Sequence, residues 1–308
     1  MKISVVMSTY NGQNYILEQL ESLRKQSRQA DEVLIFDDRS IDETVKIIKD
    51  YIAEYGLTGW HVSVNEQNKG WRRNFMEGMW SANGDIIFTC DQDDIWRQDK
   101  LATMSSLMAK HSEIKLLTSN YCEFFANGKR KVGPNENTKE LKQIALKNNY
   151  LLVGQPGCTH CIRRELVELS KKYWRPEYPH DALLWRLAIF ADGLYTYTDD
   201  LIDWRRHETS TFAKESKDLK TVKEKKKWIA TAKSFDDTLW RYIREDVAGE
   251  TSHQEEVLTR NDKWLAEREK FYQTKNILRG IWLARFWDCY PRYRQYPAEW
   301  YLLFIKRK

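Results

Sequence analysis

The first hundred residues alternate short apolar runs with amphipathic stretches, and each of the main runs breaks off in polar or acidic residues. Residues 3–9 are apolar and close on Tyr10, Asn11 and Gly12. Ile16, Leu17, Leu20 and Leu23 then recur at helical spacing. A second run, 32–36, ends in Asp37 and Asp38, and Val45, Ile48 and Ile52 mark a helix after it. A third run, 60–64, precedes a helix predicted over 73–81, and a fourth, 86–90, ends in Asp91, Asp93 and Asp94. Alternation at this spacing predicts an α/β fold with a doubly wound, mostly parallel sheet. Sheets of that kind bind ligands at the carboxyl ends of their strands.

Three carboxylates within four positions at a strand tip repel one another unless a cation sits among them. Oxygen ligands in that number suit Mg²⁺ or Mn²⁺, which keep a substrate phosphate as a further ligand. The plainer reading, acids opening the helix that starts near Asp99, accounts for one or two of them but not three. Asp37 and Asp38 at the second tip can accept hydrogen bonds from a ribose or a pyrimidine imide. The chain has neither Gly-x-Gly-x-x-Gly nor Gly-x-x-x-x-Gly-Lys, so nothing supports a dinucleotide fold or a phosphate loop. A metal then has to neutralise the phosphates.

With 308 residues, the chain has room for one large or two modest domains, and 42% hydrophobic residues make it globular. No run approaches the ~18 apolar residues of a membrane span. The opening run is too short for a signal peptide and reads as a buried strand, so the expected location is the cytoplasm. Five scattered cysteines fit a reducing compartment. A net charge of +5 suits anionic ligands and does not by itself imply nucleic acid.

Four segments carry a resemblance: 4–12 (Ser-Val-Val-Met-Ser-Thr-Tyr-Asn-Gly), 37–44 (Asp-Asp-Arg-Ser-Ile-Asp-Glu-Thr), 68–75 (Asn-Lys-Gly-Trp-Arg-Arg-Asn-Phe) and 91–96 (Asp-Gln-Asp-Asp-Ile-Trp). In this order they resemble the motifs of the family 2 glycosyltransferases, nearest in flavour to a bacterial rhamnosyltransferase-like branch. The resemblance implies a GT-A nucleotide-sugar-binding fold with an Asp-x-Asp metal motif. It also implies a dTDP- or UDP-sugar donor and a glycan or lipid-linked acceptor of cell-surface polysaccharide synthesis. It assigns Thr9, Tyr10, Asn11, Asp38, Arg73, Asp91 and Gln92 to the nucleotide sugar, and Asp93 and Asp94 to the metal. Arg39 departs from the Gly or Asn that the family usually has there.

Further along, Cys158, His160 and Cys161 invite a zinc or redox reading, but no second cysteine pair follows, and small buried cysteines are the reading preferred here. The same segment resembles the family's Gly-Cys-Thr turn beside the acceptor cavity. Asp181 opens a predicted helix and reads locally as an N-cap. By resemblance it is the general base of an inverting sugar transfer, and an N-cap is a rigid way to hold one. Trp204, Arg205, Arg206 and His207 resemble the family's closing motif, which makes His207 a metal or diphosphate ligand and the two arginines candidate phosphate neutralisers.

The expected organisation is a catalytic domain at 1–215, with a nucleotide half (1–100) and an acceptor half (101–215), followed by an α-helical basic and aromatic region at 216–308. Aromatics and arginines interleave over 277–308, a composition that suits the inner face of an anionic plasma membrane or packing against the catalytic domain or a twin subunit in a homodimer. No nucleic-acid motif accompanies it. Two rivals to a transferase remain at this stage, a metal-dependent phosphohydrolase acting on nucleotide sugars and a non-catalytic glycan-binding protein.

Overall fold

The structure, a computed structural model, describes residues 1–207 and 221–306. The expected domain boundary near 215, the polar residues 208–210 and the basic residues Lys217, Arg307 and Lys308 lie outside the described residues.

The chain divides into two compact units. The first comprises 1–144, 155–188 and 193–206, and the second 145–154, 189–192 and 207–308. The described part of the first unit thus ends at Arg206, and two short segments of the predicted catalytic region belong to the second unit.

The first unit is built on one sheet. β1 (Ile3–Thr9), β2 (Glu32–Asp37), β3 (Trp60–Val64) and β4 (Ile86–Asp91) lie parallel in the order β3-β2-β1-β4. α1 (Ile16–Arg24), α2 (Thr44–Glu54) and α3 (Trp71–Ser81) connect them. Strand β1 is buried at nearly every position, as expected of a strand covered on both faces. β5 (Ile95–Trp96) and α4 (Lys100–Lys110) follow the acids.

Beyond β4 short antiparallel strands join the mostly parallel sheet that the alternation predicts. β6 (Leu116–Phe125) and β10 (Leu194–Arg206) are parallel to each other. β9 (Cys161–Arg163) runs antiparallel between β4 and β6. With three residues it is too short to carry an alternating pattern, but it places Cys161 on a strand, as the reading of small buried cysteines on a strand expects. β7 (Arg130–Val132) pairs back on β6 as a hairpin, and β8 (Leu141–Gln143) pairs antiparallel with β10. β10 also runs longer than the predicted strand at 193–197, so Trp204, Arg205 and Arg206 are strand residues. α5 (Arg164–Tyr173) and α6 (His180–Phe190) lie between β9 and β10.

The second unit is helical. α7 (Val222–Glu245) starts on a capping box in which Thr221 Oγ1 accepts from the Glu224 amide at 3.2 Å, while the Thr221 amide donates to Glu224 Oε2 at 3.1 Å. α8 (Ser252–Thr274), α9 (Ile277–Trp282) and α10 (Gln295–Trp300) complete it. Its core encloses Arg268, whose guanidinium lies 4.8 Å from the Trp228 ring, 4.9 Å from Trp264 and 5.1 Å from Tyr290. Glu299, also buried, accepts from Arg268 Nε at 2.5 Å and from the Tyr290 hydroxyl at 3.0 Å. Removing one partner of a buried ion pair strands the other charge. Glu299→Ala is therefore expected to destabilise this unit by roughly 3–5 kcal/mol, read by chemical denaturation.

Candidate functional site

The tips of β1, β2 and β4 are tied together by side chains from all three. Thr9 is buried, and its hydroxyl donates to Asp37 Oδ2 at 2.8 Å; the Ser40 hydroxyl reaches the same oxygen at 2.6 Å. Asp38 is also buried. Its Oδ1 accepts from Asn65 Nδ2 at 2.9 Å and the Lys69 amide at 2.7 Å, and its Oδ2 accepts from the Gly70 amide at 2.8 Å. The aspartate thus folds the 65–70 loop that leads into α3. Asn11 Oδ1 accepts from the Ile41 amide at 2.9 Å, joining the first loop to the second. Arg39 adopts a left-handed φ of 66°, the conformation that Gly or Asn takes with less strain.

Gln92 clamps the opposite side. Its Oε1 accepts from the Tyr10 amide at 2.9 Å and its Nε2 donates to the Tyr10 carbonyl at 3.1 Å. Gly12 permits this approach, because a Cβ there would lie 2.3 Å from Gln92 Oε1. The Tyr10 ring remains exposed. Arg73, on α3, is exposed and pairs with Glu77 at 2.7 Å.

The acids on and after β4 differ sharply in environment. Asp91 and Asp93 are half-buried, whereas Asp94 is fully buried. Asp94 Oδ1 accepts from the Arg205 amide at 2.9 Å, and Arg205 Nε donates to the Asp93 carbonyl at 2.7 Å. Arg205 also reaches Glu18 at 2.8 Å. Arg206 lies 3.4 Å from Glu123. Both arginines are thus engaged by protein groups, and Arg205 fastens β10 to the acid loop. Burial and the neighbouring carboxylates Asp93 and Asp181 push the Asp91 carboxyl up to about 7. Burial, with Asp93 and Asp91, drives Asp94 well upward too. Among the described residues, no nitrogen or oxygen donor meets the buried Asp94 Oδ2. Crowded acids and a buried oxygen without such a donor fit a divalent cation with oxygen ligands.

Two further residues adjoin the acids: Cys158, singled out in the sequence for other reasons, and Lys100, which had no signal there. The Cys158 thiol, in the short 3₁₀ turn Gly157–Thr159, and carboxylate oxygens of Asp91 and Asp94 all lie within 4.8 Å of one another. Both Cys158 and Cys161 are buried, but only Cys161 lies on a strand. Beneath them Lys100 is fully buried, donates to the Cys158 carbonyl at 2.8 Å and stands 4.0 Å from the Trp96 ring centroid. Burial lowers its ammonium to about 8.

Asp181 is the second residue of α6 and half-buried, so it stands in the first turn and not at the N-cap. A Cβ on Gly157 would lie 3.1 Å from Asp181 Cβ and 2.8 Å from His180 Nε2. Asp181 thus adjoins the Gly157–Cys158 turn, whose Cys158 thiol faces the acid cluster. His180, stacked on Phe75 at 4.2 Å, is pushed down to about 3 by burial and then by Arg72, so the group next to Asp181 in sequence is a neutral imidazole. His207 is half-buried one residue beyond β10.

Strand tips carrying this network and acid cluster define a GT-A-type α/β fold. The profile of glycosyl transferase family 2 matches residues 4–170, and the chain belongs to that family. The dTDP-rhamnosyl transferase RfbG of Shigella flexneri is 30% identical over 171 residues, covering 54% of this chain and 56% of that protein. The poly(ribitol-phosphate) beta-N-acetylglucosaminyltransferase TarS of Staphylococcus aureus is 32% identical over 119 residues, 38% of this chain and 20% of that protein. The chain thus spans little more than half of the first relative and a fifth of the second. Among solved structures, TarS 1-349 in complex with UDP-GlcNAc aligns with a TM-score of 0.63 at 21% identity, covering 84% of this chain and 70% of that one. A mannosyltransferase from Pyrobaculum calidifontis in complex with GDP-Man and Mn2+ aligns at 0.55 and 16%, covering 99% and 88%. At those identities the two structures bear on the fold alone.

Since three donors face the Asp38 carboxylate, Asp38→Asn turns an amide toward N–H groups. It is expected to cost about 1–3 kcal/mol of stability in the absence of any ligand. An unchanged thermal midpoint would mean that the loop does not depend on this carboxylate.

Proposed function

We propose that this chain is an inverting glycosyltransferase that moves a sugar from a nucleoside-diphosphate donor to an acceptor hydroxyl. The observation that carries the reading is the nearness of Asp181 to the acid cluster across the Gly157–Cys158 turn, from two segments about ninety residues apart in the chain. A carboxylate across from a cation-binding cluster is the pairing that inverting sugar transfer requires, with a base on one side and a neutralised leaving group on the other.

The donor's nucleoside is assigned to the tips of β1 and β2, with Thr9, Tyr10, Asn11, Asp38, Arg73, Asp91 and Gln92 around it. Given their hydrogen bonds, Thr9, Asn11, Asp38 and Gln92 act by shaping the pocket wall, which leaves the exposed Tyr10 ring as the surface for the base. Asp93, Asp94 and His207 are assigned to a bound Mg²⁺ or Mn²⁺. The burial of Asp94 and its bond from the Arg205 amide support its part in this set, since both hold the carboxylate in place. When bound, the cation offsets the charge that develops on the departing diphosphate.

Asp181 takes the proton from the acceptor hydroxyl. That oxygen attacks the anomeric carbon from the side opposite the diphosphate, the bond to the diphosphate oxygen breaks, and the configuration inverts. Likeness to the Shigella protein favours dTDP-rhamnose as donor, with UDP-sugars next, and an acceptor that is a polysaccharide or lipid-linked glycan.

Asp181→Asn is expected to lower transfer by about 10²–10⁴-fold while nucleotide affinity stays within about twofold. Asp93→Asn is expected to weaken Mn²⁺-dependent nucleotide binding, read by equilibrium dialysis with UDP, dTDP and GDP. A donor panel with and without acceptor extract tests the class. Nucleotide release that ignores acceptor points to a phosphohydrolase, and glycan binding that needs neither nucleotide nor metal points to a binding protein.

A further inference from the structure

We propose that the aromatic and basic face formed by residues 275–306 of the second unit seats on an anionic lipid bilayer. Among the described residues, nine of the sixteen exposed large apolar side chains fall within 277–305. They include Leu278 at 76% exposure, Tyr293 at 70%, Ile305 at 67% and Trp287 at 64%. An apolar concentration of this kind on a folded unit marks an interaction surface. The segments that carry it adjoin one another, because the Tyr296 hydroxyl of α10 donates to the Gly280 carbonyl of α9 at 3.0 Å and a Cβ on Gly280 would lie 2.6 Å from the Trp300 ring.

Charge selects the partner. Residues 275–306 contain six basic residues and two acids. Both acids are engaged by protein cations: Glu299 is buried on Arg268, and the half-buried Asp288 is held by Arg260 at 2.7 Å. The exposed charges therefore include Lys275, Arg285, Arg292 and Arg294, with no exposed acid among them. Trp and Tyr beside arginine suit the headgroup level of a membrane, where the rings enter the interface and the guanidinium groups meet lipid phosphates. No described helix is long and apolar enough to cross a membrane, which fits contact from one side.

The test is co-sedimentation of the full chain with phosphatidylcholine vesicles, with and without phosphatidylglycerol. Neither donor nor metal is present, so the result stands apart from the proposed transferase activity. Binding is expected only to the anionic vesicles and is expected to fall as salt rises, since exposed charges are screened within about 8 Å at physiological ionic strength. Arg292→Glu/Arg294→Glu is expected to weaken binding by about tenfold or more. Leu278→Ser/Trp287→Ser should weaken it while the thermal midpoint holds, because both side chains are exposed. Four outcomes would overturn the proposal: no binding to either vesicle, equal binding to both that neither variant alters, preferential binding of a single-stranded oligonucleotide, or a dimer that Leu278→Ser/Trp287→Ser dissociates.

Discussion

Like charge held at close quarters is the constraint on which the first unit depends. Asp91, Asp93 and Asp94 crowd one end of β4, and burial and mutual repulsion drive the carboxyls of Asp91 and Asp94 upward. Left alone, such a cluster would push the loop open. Two protein cations oppose it from different sides: Lys100, buried beneath the Cys158 carbonyl, and Arg205, which grips the loop by the Asp93 carbonyl. Between them they hold the carboxylates near one another without cancelling them. Each cation also does a second task. Lys100 ties the start of α4 to the turn beside Asp181, and Arg205 brings the end of β10 to the acids.

The tips of β1, β2 and β4 are organised by their own side chains. Hydrogen bonds from Thr9 to Asp37, from the 65–70 loop to Asp38 and between Gln92 and Tyr10 fix three strand tips relative to one another. A pocket wall held in this way spends little conformational entropy on binding. It also gives the strand-tip polar residues a meaning different from the one their positions first imply. Several face one another, and the ligand meets the surface they support.

Much of this was legible in the sequence where the signal was local. β1 and β3 begin and end where their apolar runs do, and the fourth run leads to the acids as expected. What was not legible depends on contacts between distant segments. Lys100 looks like an ordinary residue at a helix start, and only its bond to a carbonyl 58 positions away reveals it as a buried counter-charge. Cys158 was read as a small buried cysteine, and nothing in its spacing tells that its thiol faces two aspartates. Asp38 was assigned to a ligand because strand-tip acids often serve one, and no pattern in the sequence showed that three donors already meet it. The place of β9 between β4 and β6 was not legible, because three residues carry no periodicity that tells which strands they pair with.

That short strand has a further consequence. β9 joins the parallel half of the sheet to the β6–β10 half through a few register pairs, Ile86 with Arg163 and Phe88 with Cys161 on one side, Leu116 with Ile162 and Leu117 with Cys161 on the other. The bonds made by Thr9, Asp38 and Gln92 lie upstream of this seam, whereas Arg205, which grips the acid loop, and α6 with Asp181 follow downstream of it. The two halves of the sheet are therefore coupled through a strand of three residues, and a change in its register would be felt on both sides at once.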